Sequence, residues 1–194
     1  MIFGVVSCDH SELYPQSRFL LPYRDVTRVG KSLYRLSCAM PSLKLAQLLG
    51  RLSPSLCARV LDWLGYGGND FDVPIENDLT FGATCALAAM KAYADFRRRG
   101  YDVRAVRYED LVARPLEICE RLMEACGLSV SLARHVVEGM RFDSQQKTAI
   151  SRAALSRFRD PEVTPEILES LNRLAARFGL PPVNEECILE GTLS

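Results

Sequence analysis

The sequence predicts an α/β fold: a three-layer parallel sheet with flanking helices, in a single domain over residues 1–194. Three observations point there. Two apolar, β-prone stretches, Arg18 to Tyr23 (RFLLPY) and Val103 to Tyr108 (VRAVRY), stand far apart in the chain. What separates them is patterned as helix, as a crossover between parallel strands requires. At 48% hydrophobic and 25% charged residues, the chain has the means to build a core. A weaker third strand is expected from Ile2 to Val6. Two or three strands offer too little surface for so many helices, so the sheet is expected to be incomplete at its N-terminal side. Its open edge would favour association between copies.

In chain order, the first strand carries Pro22, which removes a ladder donor and suits an edge. Asp25 is a good N-cap for a helix in which Val26, Val29, Leu33 and Leu36 recur on one side and Arg28, Lys31 and Arg35 on the other. Helices are expected from about Ser42 to Arg51 and from Pro54 to Leu64, then a loop-rich break from Gly65 to Asp78. From Leu79 to Arg99 small and apolar residues run nearly all round, which predicts a buried helix. After the second strand, Pro115 opens a helix that Gly127 ends, and a short helix follows from Leu132 to Met140. The last helix has Thr164 as cap and Pro165 in its first turn, and stops at Gly179 before Pro181-Pro182.

The 24 basic and 24 acidic residues cancel, so no long-range field points to nucleic acid or to an anionic membrane. The seven cysteines form no C-x-x-C pair, which argues against a zinc ribbon, a redox motif or a disulfide framework. Most are expected to be small core residues in a reducing compartment. The apolar start, Met1 to Val6, is too short to span a bilayer and has no basic residue before it. As written the chain is expected in the cytoplasm, with the Golgi as the alternative if an anchor precedes it.

In an open parallel sheet, ligands lie beyond the carboxyl ends of the strands, and Arg24 and Tyr108 both occupy such ends. Ser32 follows Arg24 by eight residues, two turns into a helix whose start offers free N–H groups and a positive dipole end. A phosphate there would take a forked guanidinium contact and a hydroxyl contact.

At this point the chain resembles a family. LYPQSRFLLPYRDVTRVGKSLYRLS (Leu13 to Ser37) is similar to the segment of sulfotransferases dependent on 3′-phosphoadenosine 5′-phosphosulfate (PAPS) in which a strand ends in Arg and a Ser eight residues on completes the donor's 3′-phosphate site. The corresponding residues are Arg24 and Ser32. RYEDLVARP (Arg107 to Pro115) looks like the family's Tyr-Glu-Asp stretch, in which the Tyr lies against the adenine; its counterpart is Tyr108. KAYADFRRRGYDVRAV (Lys91 to Val106) and the helix to Gly127-Leu128 also fit, so the resemblance covers most of residues 13–182.

The resemblance implies a P-loop NTPase-like sulfotransferase fold, PAPS as donor, no metal or redox cofactor, and a hydroxylated acceptor, a carbohydrate or a small molecule. It implies in-line attack of the acceptor oxygen on sulfur, with cations and amides taking up charge. Nothing before Leu13 matches the family's Lys/Ser/Gly/Thr-rich loop for the 5′-phosphosulfate, and its catalytic His or Glu belongs to the same region. The Arg-Lys-Gly…Gly-Asp-Trp loop of the cytosolic branch has no counterpart; Ser151-Arg152 and Arg157 are candidates for a replacement contact. The catalytic residues therefore stay unknown, and the isolated chain is expected to bind the 3′-phosphate end without transferring the sulfuryl group. The alternatives are a non-catalytic 3′-phosphoadenosine-binding or fold-only protein and, further off, a nucleotide-dependent kinase. VGKS (Val29 to Ser32) imitates the end of a Walker loop, but Asp25 stands where its first glycine belongs, facing the phosphates it would repel.

Other charged residues have plainer readings. His10 sits in no matching context, and His135, within a helix, is expected to be structural. Arg97-Arg98-Arg99 ends a helix, where cations complement the dipole, and is expected to face solvent. Glu109 and Asp110, taken as the end of a strand, would point to opposite sides, and one of them is expected to cap a neighbouring turn.

Overall fold

The computed structural model describes residues 19–40, 78–142, 151–184 and 187–193, with scattered positions between 44 and 59 and residue 148. Strand β1 (Phe19–Tyr23) leads through Arg24-Asp25 into helix α1 (Val26–Ala39), and the long helix α2 (Asp78–Arg98) returns the chain to strand β2 (Val103–Arg107). The remaining elements are α3 (Tyr108–Ala113), α4 (Pro115–Cys126), a 3₁₀ turn (Val130–Leu132), α5 (Ala133–Met140), α6 (Arg152–Leu155) and α7 (Pro165–Arg177). The expected strand from Ile2 to Val6, the greater part of the expected helices from Ser42 to Arg51 and Pro54 to Leu64, and the loop from Gly65 to Asn77 lie outside the described residues.

β1 and β2 pair in parallel, in register from Phe19↔Val103 to Tyr23↔Arg107. The protein is thus mixed α/β, and among the described residues the sheet has two strands where three layers of a broader sheet were expected. The chain's last residues cover the far edge of β2. Ala105 donates its N–H to the Gly191 carbonyl at 3.2 Å and accepts from the Leu193 N–H at 2.8 Å, which makes a bridge with Thr192. Since Ala105 spends both backbone groups there, alternation turns those of Arg104 and Val106 towards β1. Parallel pairing then engages residues 19, 21 and 23 of β1 and leaves Leu20 and Pro22 facing its outer edge. Pro22 thus loses no ladder bond to β2, which reconciles it with a strand.

The core gathers on α2. Phe81, Leu87, Ala88, Met90 and Tyr93 pack with Tyr23 and Val26, with Val103 and Ala105, and with Leu171, Leu174, Ala175 and Phe178 of α7. Val106, on the opposite face of β2, is 1% exposed, so β2 is covered on both sides there. A smaller cluster joins α4 and α5 through Cys119, Met123 and Ala133, with Leu111 against it.

Local chemistry accounts for the helix ends. Asp25 caps α1, accepting the Arg28 N–H at 2.8 Å and the Thr27 hydroxyl at 2.6 Å. Thr164 caps α7, and Gly127 ends α4 at φ 71°, where a side chain would be strained. Helices α1 and α2 cross at paired glycines. A Cβ on Gly30 would stand 2.8 Å from the Leu79 carbonyl oxygen, and one on Gly82 would stand 2.9 Å from Gly30 Cα. The glycine of VGKS is therefore accounted for by helix packing.

Two expectations are corrected. β2 ends at Arg107, and Tyr108 opens α3, so Tyr108, Glu109 and Asp110 lie on a helical turn instead of a strand. Glu109 and Asp110 in a first turn complement the dipole of that helix, a cue that favours helix over strand. Arg97, expected in solvent, binds the Val103 carbonyl at 3.2 Å and the Glu190 carboxylate at 3.0 Å, while Arg98 pairs with Asp95. No helix among the described residues is long and apolar enough to cross a membrane.

Candidate functional site

One step beyond the register pair Tyr23↔Arg107 come Arg24 and Tyr108, side by side at the carboxyl ends of the two strands. The Arg24 guanidinium carbon lies 4.8 Å from the centroid of the Tyr108 ring. Chain direction causes this meeting: two parallel strands in register must deliver their ends together, and each turns into a helix at once.

Glu109 holds the arrangement from below. Its Oε1 lies 3.6 Å from Arg24 Nε and accepts the Asp25 N–H at 3.4 Å, while its Oε2 lies 3.8 Å from Arg107 Nε. Both charge contacts are ion pairs too long to be hydrogen bonds. The Glu109 side chain is 17% exposed and that of Arg24 37%, so the carboxylate is largely shielded while the guanidinium reaches the surface. Glu109 thus ties the turn after β1 to the turn after β2, as expected for one of the two acidic residues. That it would do so from beside Arg24 was missed, because a strand reading of Tyr108 to Asp110 aims it elsewhere.

Ser32 lies on α1, half-buried, two turns beyond the cap and about 10 Å along the helix axis from Asp25. The structure therefore brings Arg24 and Tyr108 together and leaves Ser32 further along the same helix. Asp25 caps α1 as expected, and that cap limits the free N–H groups expected at the helix start. Asp25, 8% exposed, already occupies the Arg28 N–H, so this amide is not open to an anion and a carboxylate stands where one was expected. Of the candidates for a replacement contact, Ser151 is buried and caps α6 by accepting the Ala154 N–H at 3.2 Å, and the Arg157 guanidinium stacks 5.0 Å from the Phe158 ring. His135 lies exposed on α5, and His10 is outside the described residues.

Beside Arg24 and Tyr108 opens a cavity of about 450 Å³ that the sequence did not suggest. Leu21 and Pro22 of β1, Val29 and Leu33 of α1, and Ala86 and Met90 of α2 form its apolar walls. The space touches Leu21, Pro22, Tyr23 and Arg24 in succession and so follows β1 towards its carboxyl end.

Of the tyrosines, Tyr23 and Tyr93 have hydroxyl pKa values raised above the ordinary phenol range, in both cases chiefly by burial. The Tyr23 hydroxyl pairs with Thr192 Oγ1 at 3.0 Å and accepts the Leu189 N–H at 3.3 Å. It therefore belongs to the closure of the C-terminal segment. Comparison with protein-family models, with curated proteins and with solved structures finds no match.

Proposed function

We propose that this chain is a sulfotransferase-like protein that binds the 3′-phosphoadenosine end of PAPS, with Arg24 on the 3′-phosphate, Tyr108 against the adenine and Ser32 completing the phosphate contacts. The observation that carries the reading is the meeting of Arg24 and Tyr108 at the carboxyl ends of paired parallel strands. A surface cation beside an aromatic face, at the ligand-binding end of a parallel sheet, suits a phosphorylated nucleoside. The P-loop NTPase-like, three-layer fold belongs to this proposal, and the two parallel strands joined through α1 and α2 are its support. In the complete reaction an acceptor hydroxyl oxygen attacks sulfur, the bond from sulfur to the bridging phosphate oxygen breaks, and 3′,5′-adenosine bisphosphate and the hydroxyl proton leave. The acceptor is a carbohydrate or a small hydroxylated molecule.

Calorimetry with 3′,5′-adenosine bisphosphate and with adenosine 5′-monophosphate tests the reading. The bisphosphate is expected to bind more tightly by about tenfold or more, a charge-assisted contact's worth. Equal affinities for the two nucleotides would remove the basis for placing a 3′-phosphate on Arg24.

A further inference from the structure

We propose that the cavity along β1 binds an unbranched aliphatic amphiphile, with its hydrocarbon against α1 and α2 and its anionic head on the Arg24 guanidinium. The inference is independent of the nucleotide reading, although both ligands would use Arg24. The cavity's volume of about 450 Å³ falls within the range of small-ligand sites. Its length follows the strand: three residue steps from Leu21 to Arg24 span about 10 Å. Its walls are aliphatic side chains, together with Ala89 and Cys85, so the ligand's body must be apolar.

Among the described lining residues, the charged and hydroxyl groups lie at one end. Tyr23, although part of the lining, has its hydroxyl engaged with Thr192 and Leu189. That leaves Arg24 and Tyr108 at the strand's carboxyl end, the position for a charged head. Glu109 approaches Arg24 from the Nε side, and a guanidinium carries further donors on its two terminal nitrogens for a carboxylate, sulfate or phosphate.

A peptide strand is a poorer occupant than a hydrocarbon. Strand addition along the outer edge of β1 would use the outward backbone groups of Leu20 and Pro22, and Pro22 has no N–H to donate. A hydrocarbon requires none, and gains from every apolar wall it touches.

The test is calorimetric titration with decanoate, decyl sulfate and decanol, each kept below the concentration at which it aggregates. Both anions are expected to bind, decanol about tenfold more weakly, and decanoate to compete with 3′,5′-adenosine bisphosphate. Ala89→Phe and Ala86→Leu place side chains in the cavity and are expected to weaken decanoate about tenfold or more while leaving nucleotide affinity unchanged. Each variant is first checked for a cooperative melt, and the smaller Ala86→Leu serves if the phenylalanine is not accommodated. Three results would overturn the proposal: no binding of either anion, decanol as tight as decanoate, or decanoate affinity unchanged in a folded variant. If decanoate binds and the nucleotide does not, the nucleotide reading falls and this inference stands.

Discussion

Arg24 carries two contacts at once, the Tyr108 ring and the Glu109 carboxylate, and its side chain stays partly open to solvent. Arg24→Ala should accordingly weaken 3′,5′-adenosine bisphosphate by more than Ser32→Ala, about 1.5–3 kcal/mol against about 0.5–1.5, because the first removes a charge-assisted contact. Calorimetry on the two variants checks the order, and the reverse order would assign the phosphate to α1 instead of to the strand end. Tyr23 has a different office. Its raised pKa means that the folded chain keeps the hydroxyl proton at a pH where the unfolded chain has lost it. Stability from this group is complete below about pH 10 and declines as the pH rises past that value. Tyr23→Phe should flatten this alkaline decline in urea midpoints, at a cost near neutrality of about 1–3 kcal/mol, chiefly from the Leu189 N–H left without its acceptor, since the Thr192 hydroxyl keeps its bond to the Leu189 carbonyl. Of these residue roles, the positions of Arg24 and Tyr108 were legible from strand ends. The partnership with Glu109 was not, since it depends on where the chain turns from strand to helix.

At the scale of elements, periodicity and capping residues located β1, α2, α4, α7 and the start of α1 to within a residue or two, with local signals such as Asp25, Pro115, Gly127 and Thr164 marking several of these ends. The misplaced boundary at Tyr108 has a local cause as well. An apolar alternation that runs into Tyr-Glu-Asp reads as strand until the acidic first turn of α3 is given its weight. The crossing of α1 over α2 was invisible, since nothing in the sequence says that Gly30 and Gly82 face each other. Their backbones approach so closely that a methyl group at either position must push the helices apart. Gly82→Ala is expected to destabilise the protein by about 1–3 kcal/mol through overpacking, even though alanine is the better helix former. Thermal melting of this variant measures the difference, and a raised midpoint would mean that the two helices are free to separate.

At the scale of the molecule, a parallel sheet joined by helices was legible, whereas the closure of its far edge was not. A single bridge at Ala105, formed by a segment with no strand pattern of its own, leaves no periodicity to detect. The clamp that holds this segment is made of residues remote in sequence: Tyr23 reaches Thr192 across 169 positions, and Tyr93 donates to the Glu190 carbonyl across 97. Such contacts bear on the order of events during synthesis. Asp25 and Glu109, which tie β1 to β2, are 84 residues apart. At about 5–20 residues per second, that tie waits roughly 4–17 s after residue 25 has been made, and the Tyr23 clamp about twice as long. The apolar side of α1 lacks its partner until α2 has been made, and β1 lacks its partner until β2 has been made, a period in which chaperones would have most to act on. Pairing β1 with β2 closes a long loop, so refolding of the chain is expected to be slower than the microseconds of a helical bundle, in the millisecond range of mixed α/β domains. Stopped-flow refolding monitored through Trp63 or the tyrosines can read that rate. A microsecond phase that recovers the whole signal would imply that helix packing alone, without the long ties from β1 to β2 and to the C-terminal segment, completes the fold.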